Sequence, residues 1–167
     1  MKAEFTRLSE SIDAMDKECE AILKTLSGKT YSEKRKKILV YESDAKEAVK
    51  ITEILHGFGL YRIILKTDVS NWEADIRQIM PKVILLDNFM SGRSGYEVLR
   101  EISEHPIYHM IPIIVLSQRS GLAEIAWAKK CGATDLLSKP IKSTANLFNV
   151  LTHSIKHSPL NNLDLHL

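Results

Sequence analysis

The sequence predicts an α/β fold: a five-stranded parallel sheet covered by helices on both faces and preceded by one amphipathic helix. Three observations predict it. Five short apolar runs recur from residue 38 onward, most apolar on both faces as buried parallel strands are. Helical patterns separate the runs, giving a five-fold βα alternation, and right-handed crossovers then leave few topologies. Residues 1–27 carry a different pattern, that of a single helix with a narrow apolar stripe.

In residues 1–27 the apolar positions are Phe5, Leu8, Ile12, Met15, Cys19, Ile22 and Leu26. Their spacing alternates three and four, which is a heptad seam uninterrupted by Pro or Gly. Such a stripe must be buried, either against a second copy in a coiled-coil dimer or on the following domain. Cys19, on the stripe, reads as a small core residue rather than a reactive thiol. Residues 28–36 are polar and basic and read as a linker, with Lys34, Arg35, Lys36 and Lys37 solvated. Ser27-Gly28-Lys29-Thr30 matches the end of a phosphate-binding loop. Leu23 stands where that motif needs its first glycine, and the segment follows a helix, so the motif is excluded.

The domain proper is expected over 37–158. Its strands are expected at Ile38–Tyr41, Tyr61–Leu65, Val83–Leu86, Ile111–Leu116 and Asp135–Leu137. Ala48, Ile51 and Leu55 share one helical face; so do Val98, Leu99 and Ile102, and Leu147, Leu151 and Ile155. Gly57 and Gly132 sit where helices end. Residues 159–167 read as a short unstructured tail.

Composition narrows the function classes. The chain has 167 residues, 44% of them hydrophobic, enough for one domain with an appendage. A net charge of +2 with mixed signs gives no bulk argument for nucleic acid. No apolar run approaches a bilayer span, and the N-terminus is too charged for a signal peptide. Two distant cysteines, Cys19 and Cys131, point to a reducing cytoplasm rather than a disulfide framework. His105 and His109 have i, i+4 spacing, but Pro106 interrupts any helix, so they read as surface loop rather than a zinc pair. No Ser-His-Asp arrangement and no glycine-rich dinucleotide loop can be assembled. No histidine precedes His56, so the first helix cannot carry a phosphohistidine. Trp127 reads as a packing or interface residue.

Ligands of open α/β sheets bind at the carboxyl ends of the strands. Glu42, Ser43 and Asp44 follow the first run, Asp87 the third, Ser117 the fourth, and Lys139 with Pro140 the fifth. Acids, a hydroxyl and a lysine therefore converge on one rim. Glu42 and Asp44 could hold a metal jointly, singly or not at all. Asp44-Ala45-Lys46-Glu47 also fits a helix N-cap with an acid at its third position.

The stretches PKVILLDNFMSGRSGYEVLREI, IPIIVLS and GATDLLSKP, with the spacing between them, resemble the receiver domain of two-component response regulators. The resemblance covers about residues 37–158. It implies a flavodoxin-like sheet of strand order 2-1-3-4-5. It implies that Asp87 accepts a phosphoryl group, that Ser117 is the switch hydroxyl and that Lys139 binds a phosphate oxygen. Glu42 and Ser43 fall on the paired acids that hold Mg²⁺, and the Phe89 backbone carbonyl falls on the group completing the metal shell with Asp87. Pro140 matches a cis Lys-Pro bond. Output would pass through the fourth helix, fifth strand and fifth helix of the domain.

Some positions depart from that pattern. Ser43 replaces an acid that contacts the metal, and a neutral hydroxyl is a poorer Mg²⁺ ligand. Asp44 could substitute, but its N-cap reading is the stronger. Ser91 replaces a frequent proline, Gln118 a small residue, and Leu136 a switch aromatic. The leading expectation is a stand-alone receiver, not an enzyme beyond its own aspartyl phosphorylation and dephosphorylation. A sensor histidine kinase or phosphotransfer protein would supply the phosphoryl group. A downstream protein partner would read the state, since no output domain follows residue 158. The first helix would mediate homodimerisation or partner contact. The competing expectation is a phosphorylation-independent pseudo-receiver serving as an interaction module. A flavodoxin-like small-ligand binder is disfavoured by the rim aspartate and lysine.

Overall fold

Strand β1 (Lys36–Tyr41) organises the sheet, because its alternate side chains feed two separate cores. Ile38 and Val40 point to one face, Leu39 and Tyr41 to the other, and all four are fully buried. The computed structural model describes residues 2–27 and 35–162. Within these, β1 pairs in parallel with β2 (Tyr61–Lys66) and β3 (Val83–Asp87). A short antiparallel hairpin, β4 (Phe89–Met90) and β5 (Arg93–Ser94), follows β3. The sheet continues through β6 (Ile113–Ser117) to β7 (Asp135–Ser138), in the order β2-β1-β3-β6-β7. Setting the hairpin aside, this is the expected 2-1-3-4-5 order, a flavodoxin-like topology.

The helices after the first are α2 (Ala45–Gly57), α3 (Trp72–Ile79), α4 (Gly95–Glu104), α5 (Leu122–Lys130) and α6 (Thr144–Lys156). Helices α2 and α6 cover one face of the sheet, and α3, α4 and α5 the other. The three apolar triads of α2, α4 and α6 are buried as their spacing predicts. Each Val, Leu or Ile among them contributes about 1.5–3 kcal/mol when taken from water. Ser94 and Ser143 cap α4 and α6 by accepting from Tyr96 N at 3.3 Å and Asn146 N at 3.1 Å. The left-handed turn after α2 falls on Gly59 (φ 65°), two residues beyond the expected Gly57.

Helix α1 (Lys2–Ser27) lies on α2 and β2. Phe5 and Ile12 are buried in the core shared with α2 and α6, and Leu8 packs against it. The first half of the heptad seam is thus spent on the chain's own domain. Met15 and Ile22 are 45% and 55% exposed, and Cys19 is exposed too, against its expected core role. A straight α-helix drifts about 20° per heptad relative to a strict seven-residue repeat, so the stripe rotates off the domain surface. Asp16, not Met15, takes the buried position one turn beyond Ile12.

Asp16 is answered by Arg35, whose guanidinium lies 3.2 Å from its carboxylate, 3.4 Å from Glu20, and donates to the Asp16 carbonyl at 3.3 Å. His56 Nδ1 stands 3.9 Å away. Burial pushes the Asp16 carboxyl above its ordinary range, and Arg35 pulls it back. Arg35, expected as a solvated linker residue, is a buried clasp holding α1, while Lys36 and Lys37 open β1. Linker residues 28–34 lie outside the described residues. Pro159–Asn162 forms a 3-10 turn that packs Leu160 on the α3–α5 side, where an unstructured tail was expected; residues 163–167 lie outside the described residues. His105 accepts from Ile107 N and Tyr108 N and stacks on Tyr108, a loop arrangement and not a metal pair.

Removing the clasp leaves a buried carboxylate without its cation, a loss of about 3–5 kcal/mol when nothing relaxes. Arg35→Ala is expected to relieve this by releasing α1: amide exchange over 2–27 accelerates, while β1, β3 and β6 keep their protection. Exposed Met15→Ser leaves both unchanged in the same measurement.

Candidate functional site

Strand register builds the site. Tyr41 is opposite Leu86, Asp87 opposite Leu116, and Ser117 opposite Ser138. Glu42, Asp87, Ser117 and Lys139 therefore leave four adjacent strands side by side at their carboxyl ends. All four residues expected at the rim are brought together there.

Glu42 is fully buried and Asp87 is 3% exposed. The Lys139 ammonium bridges them, 3.0 Å from Glu42 Oε2 and 3.0 Å from Asp87 Oδ1. Burial is the main force pushing the Glu42 carboxyl up to about 7, and the neighbouring Asp87 charge adds to it. The Asp44 N–H, donating at 2.9 Å, and Lys139 act in the opposite sense. For Lys139, burial lowers its basicity, but the two carboxylates outweigh it and raise the net value. The ammonium thus stays charged between the acids. The Lys139–Pro140 bond is cis, as expected, and Lys139 N donates to Ser117 O at 2.7 Å.

Asp87 Oδ1 also accepts from Phe89 N at 3.2 Å. Ser43 donates its hydroxyl to the Phe89 carbonyl at 3.3 Å. The carbonyl expected to complete a metal shell is therefore already an acceptor, tied by the residue that stands where an acid was expected. Asp44 caps α2, accepting from Lys46 N at 2.9 Å and Glu47 N at 3.0 Å. Those bonds, the one from Glu47 first, hold its carboxyl below the ordinary range, and both fall on Oδ1. Among the described residues no three His, Cys, Asp or Glu side chains gather as a metal set. The donors at hand are two carboxylates and one carbonyl, all hard oxygens that suit Mg²⁺ completed by water.

An open cleft of about 800 Å³ lies above this rim, lined among others by Asp87, Phe89, Tyr96, Glu124, Trp127 and Lys139. Trp127 is not in the core; it is 45% exposed on the cleft wall, with Lys130 Nζ 5.8 Å from its ring centroid. Leu136 is buried in the core on the α3–α5 side. Ser117 is buried at the end of β6, and Gln118 and Arg119 after it are exposed and line the cleft.

Two elements were missed from sequence. Gly95 starts α4 directly beneath the Asp87 backbone: a Cβ there would collide with Asp87 O and stand 2.9 Å from Asn88 Cα. A glycine opening an otherwise apolar-periodic helix was the available signal. Glu124, which reaches Ser117 from α5, gave none, since it reads as one acid in a helix first turn.

The family described as response regulator receiver domain matches residues 38–152. An uncharacterised 76.5 kDa protein of Thiocystis violacea is 31% identical over 111 residues, 66% of this chain and 16% of that protein. Protein PilH of Pseudomonas aeruginosa is 28% identical over 105 residues, 63% of this chain and 86% of PilH. The chain thus spans most of one relative's length and about a sixth of the other's. Among solved structures, the receiver domain of sensor histidine kinase PA1611 from Pseudomonas aeruginosa superposes with a TM-score of 0.65 at 25% identity. The match covers 73% of this chain and 98% of that one, whose active-site cleft holds a magnesium ion.

Gly95→Ala is expected to lower stability to urea by about 1–3 kcal/mol, the usual cost of overpacking, and to displace the Asp87 carbonyl. Gly57→Ala, with nothing within 4 Å of the new methyl, raises stability by about 0.5 kcal/mol. Equal losses in the two variants would contradict the close approach at Gly95.

Proposed function

Because the chain belongs to the response regulator receiver domain family, a family of signalling modules rather than conventional enzymes, we propose that Asp87 accepts a phosphoryl group. The observation that carries this reading is the Lys139 ammonium set 3.0 Å from both Asp87 and Glu42 beneath an open cleft. The donor would be a phosphohistidine on a sensor kinase or phosphotransfer protein, or a small acyl phosphate. A carboxylate oxygen of Asp87 forms the new O–P bond as the bond to the donor atom breaks, and the electron pair leaves with the donor. The transferring group carries its charge on three oxygens, so the protein contributes mainly position and positive charge. Lys139 offers one ammonium to those oxygens, and Ser117 one hydroxyl proton.

Glu42, Asp87 and the Phe89 carbonyl would hold Mg²⁺, with Ser43 as a neutral neighbour. When bound, the ion would neutralise the crowded acids and the incoming phosphate. Two features favour the competing reading, a phosphorylation-independent interaction module. Ser43 supplies no carboxylate, and its hydroxyl takes one lone pair of the Phe89 carbonyl. Output would be by protein contact. Homodimerisation through α1 would use Met15, Cys19 and Ile22, since Phe5 and Ile12 are already buried. No helix among the described residues is long and apolar enough to cross a membrane, in keeping with a cytoplasmic receiver.

Incubation with acetyl phosphate and millimolar Mg²⁺ is expected to add one phosphoryl mass that is absent from Asp87→Asn. Ser43→Asp is expected to reach the same occupancy at lower Mg²⁺, because it adds a carboxylate and frees the Phe89 carbonyl. No adduct in the parent, with an adduct appearing in Ser43→Asp, would establish the interaction-module reading instead.

A further inference from the structure

Helix α6 ends in two histidines one turn apart, His153 and its C-cap His157. The spacing i, i+4 puts both on one face of the helix. Both residues are exposed, and their rings stand 4.1 Å apart between centroids with 33° between their planes. Two imidazole nitrogens held at about 2.0–2.1 Å by one tetrahedral ion lie about 3.3 Å from each other. Rings placed as these are reach that spacing by side-chain rotation alone.

Hydrogen bonding decides which ring nitrogens are free. His157 Nδ1 lies 2.9 Å from the His153 carbonyl oxygen, which can only accept. Nδ1 therefore carries a proton, and in the neutral ring Nε2 holds the lone pair. Metal-binding histidines are commonly oriented by such a bond from their other nitrogen. Among the described residues, neither ring nitrogen of His153 has a hydrogen-bond partner. The pair thus offers two lone pairs on one face. His105 and His109 provide the contrast. They share the spacing, and His109 Nδ1 makes the same bond to the His105 carbonyl at 3.0 Å. His105 Nδ1, however, accepts from Ile107 N and Tyr108 N, so its lone pair is already spent.

The turn that carries His153 and His157 is itself held. Asn161 Nδ2 donates to the carbonyls of Ile155 at 2.6 Å and Lys156 at 3.0 Å, and Ser158 Oγ donates to the Met110 carbonyl at 3.3 Å. A cation at this place also meets the negative end of the helix dipole. We propose that His153 and His157 form a two-imidazole site for a transition-metal ion of the Zn²⁺ class, with water completing its coordination. Ions of this class take imidazole nitrogen, whereas Mg²⁺ keeps oxygen ligands, so the site is chemically separate from the acids of the rim. The bound ion bridges the last turn of α6 and holds it against fraying. Nothing in it depends on phosphoryl transfer at Asp87.

The test titrates Zn²⁺ alone into the full chain in millimolar Mg²⁺, which leaves imidazoles free. NMR of the histidine rings reports binding, and amide exchange reports the helix end. The His153 and His157 ring signals are expected to shift together along one saturation curve. His153→Ala and His157→Ala, each read on the remaining ring, are expected to weaken binding about tenfold or more, because one imidazole of a chelate is lost. His109→Ala leaves the affinity unchanged. With free Zn²⁺ at about ten times its Kd, exchange of the parent's His157 amide is expected to slow about tenfold, since opening that turn parts the two ligands. The His153→Ala chain shows no such slowing. Ring signals that do not shift together, or a loss of affinity in only one of the two variants, overturn the chelate. An unchanged His157 amide rate in the parent overturns the bridge across the turn.

Discussion

One ammonium between two buried carboxylates organises the functional end of this protein. Glu42 and Asp87 leave neighbouring strands and would face each other with like charge, both nearly removed from solvent below the cleft. Lys139 arrives from a strand at the edge of the sheet and stands 3.0 Å from each. Its charge makes a pair of adjacent acids tolerable there. Burial, with the Asp87 charge adding to it, keeps the Glu42 carboxyl elevated despite Lys139, so further positive charge is favoured there. That residual demand is what a divalent cation or a second positive group would satisfy.

The sheet, its order and the four rim residues were legible because they rest on short-range patterns. Buried parallel strands are apolar on both faces, and the polar residue ending each run falls on one rim whatever the loops do. The Asp44 cap was legible for the same reason, since a cap bonds within three residues of itself. What escaped depends on contacts between distant residues. Gly95 matters because of a backbone eight residues earlier that passes against it. Arg35 looks like one cation in a basic run until Asp16 is found buried beside it. Glu124 reaches Ser117 and Tyr96 from a helix whose own pattern is nearly featureless. The heptad seam held only in its first half: Phe5, Leu8 and Ile12 lie on this chain's domain, while Met15, Cys19 and Ile22 face solvent.

Ser43 gives the rim a character that its neighbours do not. An acid there could only accept hydrogen bonds, whereas serine donates one to the Phe89 carbonyl and closes the loop after Asp87 over the strand end. Where the receiver resemblance implies a metal-contacting acid, this chain has a loop clasp. It lowers the negative charge of the rim and leaves Lys139 as its principal counter-charge. The weight carried by that one lysine is therefore the central claim about the site.

The most direct test is urea stability of the parent and Lys139→Met from pH 5 to pH 8. In the parent, Glu42 holds a proton when folded that the unfolded chain has released between about pH 4.5 and 7. Stability from this group is therefore highest at the acid end, falls as pH rises through that window and levels above it, by up to about 1.4 kcal/mol per pH unit. Without Lys139 the Glu42 carboxyl rises further, and the decline continues past pH 7. The expected result is a stability gap between the two chains that widens by about 1 kcal/mol from pH 5 to pH 8, most of it above pH 7. A gap that stays constant over that range would contradict the claim that Lys139 holds the two acids together.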